Sequence, residues 1–108
     1  MVEILKYIDR TDRSPFERWF AGLRDEAAQA AVLIRLRRLA LGLAGDSRSV
    51  GAGVFELRIH IGPGYRVYFA WEGPEQVVLL GGGRKATQAT DIASARQRLV
   101  AHRGKAKH

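Results

Sequence analysis

Cysteine is absent from the 108-residue chain. Disulfide staples, iron–sulfur clusters and cysteine-based zinc sites are therefore excluded. Histidine is scarce: His60, His102 and His108 show no metal-ligand spacing, and no acidic cluster points to a divalent cation. Long apolar runs are missing as well. The longest, residues 27–34 and 77–83, fall far short of a bilayer span. The first residues, Met1 to Asp9, lack the basic segment and small-residue cleavage site of a signal peptide. A cytoplasmic protein with no membrane partner is the expectation.

Negative charge is also in short supply. Eleven Asp and Glu face eighteen Lys and Arg, a net charge of +7. Such a field favours a polyanionic partner: nucleic acid, a ribosome or an acidic protein. Fourteen of the eighteen cations are Arg, whose planar fork grips phosphate bidentately and never deprotonates at working pH. The excess is uneven. Residues 84–108 carry seven cations and only Asp91 as an acid. What is present otherwise is ordinary for a folded domain: 46% apolar and 27% charged residues exclude disorder of the whole chain. The length gives one domain, residues 1–103, followed by a basic tail, residues 104–108, that frays and adds nonspecific attraction.

The coarse pattern is β-α-α-β-β-β-α, an α+β domain with a small antiparallel sheet and an N-terminal helix hairpin packed on one face. Residues 2–8 read as a strand. Ser14, Pro15 and Glu17 read as a helix start, with Ser14 the cap, Pro15 at the first position and Glu17 completing a capping box. Phe16, Trp19, Phe20 and Leu23 then form one apolar stripe. A longer helix is expected from Asp25 to Ala44, with Val32, Leu36, Leu39 and Leu43 inward and Gly45 as its stop. Arg35, Arg37 and Arg38 read as a solvated face. Residues 46–53 read as a Gly/Ser-rich loop. Residues 54–61, 65–71 and 77–80 read as strands joined by short turns, and turns this short make antiparallel pairs. A last helix is expected from Thr87 or Thr90, with Ile92, Ala95 and Leu99 inward.

Strict alternation divides the central strands between two faces. Phe55, Leu57, Ile59 and Ile61 point to the helices, as do Tyr65, Val67, Phe69 and Trp71. Glu56, Arg58 and His60, with Arg66, Tyr68 and Ala70, point the other way, to a face expected to be uncovered. Arg84 and Lys85 leave the next strand at the rim of that face. The cluster suits RNA: cations for phosphate, rings for stacking, and a His for proton transfer. Its plain alternative is a solvated sheet surface, in which Glu56 pairs with Arg58 or Arg66 for little gain. The run Gly81 to Lys85 lacks the Walker spacing and is not a phosphate loop. No nucleophile motif and no cofactor motif occurs, so an enzyme built on this chain is expected to work without metal or organic cofactor.

Four segments together carry a resemblance: Gly53 to Ile59, Gly62 to Phe69, Leu79 to Lys85, and Thr87-Gln88 with Asp91 to Ala95. In this order they resemble the RelE/ParE toxin superfamily, nearest the HigB-like, phage-derived addiction-module killer proteins. The resemblance implies a RelE-like fold and the toxin half of a type II toxin–antitoxin pair. It implies a ribosome-dependent mRNA interferase, a metal-independent endoribonuclease that cuts message by attack of the 2′-OH. Carried over by position, Arg58, Arg66 and Lys85 are the implied catalytic cations, and His60, Arg84 and Gln88 also fall at positions of the pattern. With His60 as the proton-transfer candidate, the catalytic set is Arg58, His60, Arg66 and Lys85. The RNA-binding set is Arg84, Gln88 and, from the alternation, Tyr68. Several ribosome-dependent relatives carry a Tyr or His near the C-terminal end, where this chain has Ala101, His102 and Arg103. The implied partners are mRNA on the ribosome and a cognate antitoxin of helix-turn-helix type encoded next door. An alternative stays open: ParE-like members share the fold and poison DNA gyrase by binding protein, without cutting RNA.

Overall fold

The computed structural model describes residues 1–106. In chain order they form β1 (Glu3–Lys6), α1 (Pro15–Ala21), α2 (Glu26–Ala40), β2 (Ser47–Ser49), β3 (Phe55–Ile59), β4 (Tyr65–Trp71), β5 (Gln76–Arg84), a single 3₁₀ turn (Lys85–Thr87) and α3 (Gln88–Ala106). One five-stranded sheet has the order β1-β5-β4-β3-β2. The α+β class holds, with two corrections. β1 runs parallel to β5, so the sheet is mixed rather than antiparallel. β2 is an additional strand, antiparallel to β3, inside the segment expected to be loop. Three polar residues at a sheet edge carry no apolar periodicity, which is why pattern alone misses them.

The helix termini follow from their capping residues. Ser14 Oγ accepts from the Glu17 amide at 3.1 Å, and Pro15 opens α1. The Glu17 carboxylate turns instead to Lys6, so only half of the expected capping box forms. Asp25 caps α2 through the Ala27 amide at 2.9 Å. The helix stops at Ala40, earlier than expected. Gly42 adopts a left-handed φ of 82° and donates to Leu39, while Leu43 donates to Arg38. This is a Schellman ending. It throws Leu43 outward, where it is exposed rather than part of the inner stripe.

The two faces of the sheet divide as the alternation requires. Leu57, Ile59, Tyr65, Val67 and Phe69 pack with Phe16, Ala28, Val32 and Leu39 of α1 and α2. The second face is not open, however. α3 lies across β4 and β5, where Ala95 and Leu99 close over Tyr68, Ala70, Val78 and Leu80. It also reaches the β3 side, where Gln88 bonds Glu56 and Arg96 bonds the Val50 carbonyl, so it is the sheet end holding Arg58 and His60 that stays partly open. α3 also runs further than expected: residues 104–106 continue the helix, and Lys105 Nζ donates to the Ile8 carbonyl at 2.9 Å. Lys107 and His108, the rest of the expected tail, lie outside the described residues.

The glycine run of β5 lets both helix layers approach the sheet. A Cβ on Gly82 would lie 2.2 Å from the Trp19 ring of α1, and one on Gly83 would lie 1.8 Å from Asp91 Oδ2 of α3. A bulge opposite Tyr68 places Leu80 and Gly81 side by side, so consecutive residues switch faces out of step.

Candidate functional site

The expected cluster lies at the end of the sheet where β3 leaves and β4 enters. Arg58 is the register partner of Arg66, and Glu56 that of Tyr68. Arg66 in turn faces Gly83 of β5. The turn at Gly62, Pro63 and Gly64 brings Lys85 to the same end. Its amide donates to the Gly64 carbonyl at 3.2 Å. A Cβ on Gly64 would lie 3.7 Å from Lys85 Cβ and 3.9 Å from Arg66 Nη1. Lys85 and Arg66 thus flank one glycine.

Two carboxylates organise the arginines. Asp46 Oδ1 accepts from Arg58 Nε at 3.0 Å and Nη2 at 2.6 Å, and Oδ2 is bonded to His60 Nε2. The His60 and Arg58 hydrogen bonds hold the Asp46 carboxyl below the usual carboxylate range. Arg58 is therefore paired with Asp46 and not with Glu56, which pairs across the strands with Arg66, the other option open from sequence. Asp46 is held in turn by Arg35, whose guanidinium donates to the carbonyls of Ala44 (3.2 Å), Asp46 (3.3 Å) and Arg58. Arg35 is not part of a solvated face. Burial pulls its guanidinium below the ordinary arginine value.

Glu56 is the second organiser, and it is fully buried. Its Oε1 accepts from Arg48 Nε at 3.2 Å. Its Oε2 accepts from Tyr68 Oη at 3.1 Å and Gln88 Nε2 at 2.9 Å. Arg66 Nε lies 3.4 Å from the same oxygen, near enough for an ion pair. Its N–H is not aimed at that oxygen, and it has no acceptor among the described residues. A buried carboxylate persists only when it is paired and hydrogen-bonded, and four side chains meet that need here.

The sequence-expected residues therefore separate into groups. Arg58, His60, Arg66 and Lys85 gather at one end of the sheet. His60 and Lys85 are exposed, while Arg66 is nearly buried. Tyr68 is not available to stack on a base: it is 1% exposed, beneath α3. Burial and the Glu56 carboxylate push its phenol well above the ordinary tyrosine value. Gln88 is engaged with Glu56 rather than facing outward. Arg84 is exposed, at the start of the 3₁₀ turn. His102 lies away from this cluster, 3.3 Å from Glu72 beyond the far end of β4. Nothing in their own segments marks Asp46, Arg35 and Arg48 as members of the site. Asp46 opens the segment that reads as a loop, directly before β2.

Chemically, the end of the sheet offers Arg58, Arg66 and Lys85 as cations beside one carboxylate-bound imidazole. No three His, Asp or Glu side chains among the described residues come together in a way that could hold a metal ion. No helix among them is long and apolar enough to cross a membrane. A large part of the exposed apolar surface lies elsewhere, on α2 and its exit, at Leu33, Ile34, Leu41 and Leu43.

The model of the phage-derived Gp49-like proteins (DUF891) matches residues 18–100, a span holding every residue of the cluster. A Haemophilus influenzae protein (strain ATCC 51907 / DSM 11121 / KW20 / Rd), described as uncharacterized, is 44% identical over 81 residues. The match covers 75% of this chain and 82% of that one. The chain belongs to the phage-derived Gp49-like family, which is associated with toxin–antitoxin addiction modules and hence with a cognate antitoxin as partner.

Proposed function

We propose that the protein is the toxin of such a module and acts as a ribosome-dependent, RelE-like mRNA interferase. The observation that supports this reading is the meeting of Arg58 and the largely buried Arg66, paired in register, with the exposed His60 and Lys85 at one sheet end. RNA carries its own nucleophile. A 2′-OH attacks the adjacent phosphorus, the bond to the 5′-oxygen breaks, and a 2′,3′-cyclic phosphate is left. The reaction needs a proton acceptor, a proton donor and positive charge around the phosphorane. In this proposal Arg66 and Lys85 hold the phosphate oxygens, and Arg58 adds charge from across the strand pair. His60 moves a proton, since imidazole is the side chain whose ordinary pKa lies nearest neutrality. Asp46 fixes the ring through Nε2, which leaves Nδ1 as the nitrogen that faces substrate.

The partner in this reading is an antitoxin segment both acidic and apolar, seated on the outer face of α2. There Leu33 and Ile34 are more than half exposed beside Arg37 and Arg38. Contiguous exposed apolar side chains rimmed by charge mark protein contacts. The same surface favours the second reading, a ParE-like gyrase poison, because gyrase would also be met as a protein.

A reconstituted translation reaction with purified protein, followed by mapping of message 5′ ends, separates the readings. Ribosome-dependent cuts at fixed codon positions are expected. Replacing Arg66 or Lys85 by Ala should slow cutting by about 10²-fold or more. Full cleavage by an R66A/K85A double variant overturns the residue assignment. Intact message together with blocked gyrase supercoiling transfers the proposal to the second reading.

A further inference from the structure

A cleft of about 600 Å³ opens beside the cluster, between α1 and the start of α3. Arg18, Trp19 and Arg24 line one wall, and Arg84, Thr87 and Asp91 the other, with Gly82 and Gly83 of β5 as the floor. Its size falls in the range of small-ligand sites. We propose that this cleft is a subsite for one nucleotide of a single-stranded polynucleotide, next to the phosphate held by Arg66 and Lys85. The orientation of that strand rests on the function proposed above; the binding itself does not.

Adjacency is the first reason. Gly83 on the cleft floor is the register partner of Arg66, and Arg84 on the cleft wall precedes Lys85. Directly opposed strand residues on one face lie about 5 Å apart, so a strand bound at one site reaches the other within a nucleotide. Charge is the second. Arg18, Arg24 and Arg84 are exposed, and none pairs with a carboxylate among the described residues. The third is the Trp19 ring, seated over Gly82 where a side chain would collide with it. An aromatic ring among cations is the usual platform for an unpaired base. Asp91 is the sole acid on these walls. Its Oδ2 accepts from Thr87 Oγ1 at 2.5 Å, which orients the carboxylate and leaves Oδ1 to accept from the amino group of a base. An acidic peptide would meet this carboxylate as a repulsion; a base edge would not.

The test uses the full chain and a 2′-O-methyl oligoribonucleotide, which lacks the attacking hydroxyl and stays intact. Binding is read by anisotropy of the labelled oligonucleotide, and by Trp19 emission in a W71F variant. Quenching of Trp19 is expected. An R18A/R24A variant should bind roughly tenfold more weakly, and its log K against log salt slope should fall by about two, one per lost phosphate contact. Both arginines are exposed, and circular dichroism checks that the fold is kept. Unchanged affinity and slope in R18A/R24A, or displacement of the oligonucleotide by a polyglutamate peptide at equal concentration, overturns the proposal. Message cleavage by the wild type with unaltered R18A/R24A binding overturns this inference alone. Arginine-dependent quenching in a protein that never cuts message supports this subsite while the cleavage reading fails.

Discussion

Arg58 and Arg66 stand directly opposite each other on β3 and β4, yet their guanidinium groups face different carboxylates. Arg58 is held by Asp46 and Arg66 lies against Glu56. Like charges facing across a strand pair repel; two separate anions on the same face relieve that repulsion and fix where each cation points. Arg48 shares Glu56 and His60 shares Asp46. The cluster is thus two interlocked charge groups, not a row of independent basic residues.

Glu56 is the more sensitive of the two anions because it is buried. Glu56→Ala would leave Arg66 without its counter-charge and Tyr68 and Gln88 without their acceptor. Breaking one partner of a buried pair costs about 3–5 kcal/mol. A loss of that order in urea unfolding is expected, with the slope unchanged. A loss below about 1 kcal/mol, the scale of an exposed pair, would show that Glu56 is solvated.

Asp46 should govern behaviour in acid. Its folded carboxyl titrates below the ordinary range because His60 and Arg58 hydrogen-bond its charged form. A depressed carboxylate stabilises the fold above its unfolded pKa, near 3.9 for Asp, and that gain fades as pH falls through the lower folded value. Asp46→Asn should flatten the loss of stability below about pH 4. Thermal melts of both proteins across that range measure the difference. Parallel curves would remove Asp46 from the account.

Gly82 is required by Trp19. The added methyl of Gly82→Ala would sit 2.2 Å from the indole, so α1 must move away from β5. Overpacking of this kind costs about 1–3 kcal/mol. The shift should also appear as a changed Trp19 emission maximum. If both stability and emission are unchanged, α1 does not rest on β5 as described.

The outer face of α2 should be needed for partner binding and not for folding. Leu33→Glu and Ile34→Glu replace exposed side chains, and glutamate suits a helix at least as well as either residue. Stability should stay within about 0.5 kcal/mol. Affinity for the cognate antitoxin, measured by calorimetry, should fall roughly tenfold or more. Unaltered affinity would place the antitoxin on another face.

Local pattern by itself determined a good part of this protein. The alternation of residues 55–61 and 65–71 assigned each side chain to its face, because a strand has a period of two and one face must meet the helices. Ser14 and Asp25 marked helix starts through hydrogen bonds closed within a few residues, and Pro15 through its fixed φ. With Lys85 at the next strand's end, the short turn at Gly62–Gly64 brought Arg58, His60 and Arg66 to one end of the sheet. Only the tertiary structure decided what covers the second face. α3 was legible as a helix, but its docking over Tyr68 depends on residues more than twenty positions apart and on glycines that clear its path. That docking turned Tyr68 and Gln88 from surface groups into partners of Glu56. The roles of Asp46 and Arg35 were likewise illegible, because a carboxylate and a guanidinium take their meaning from neighbours that folding supplies. Pairing of β1 with β5 brings residues 3–6 beside residues 76–79, and no local period records it.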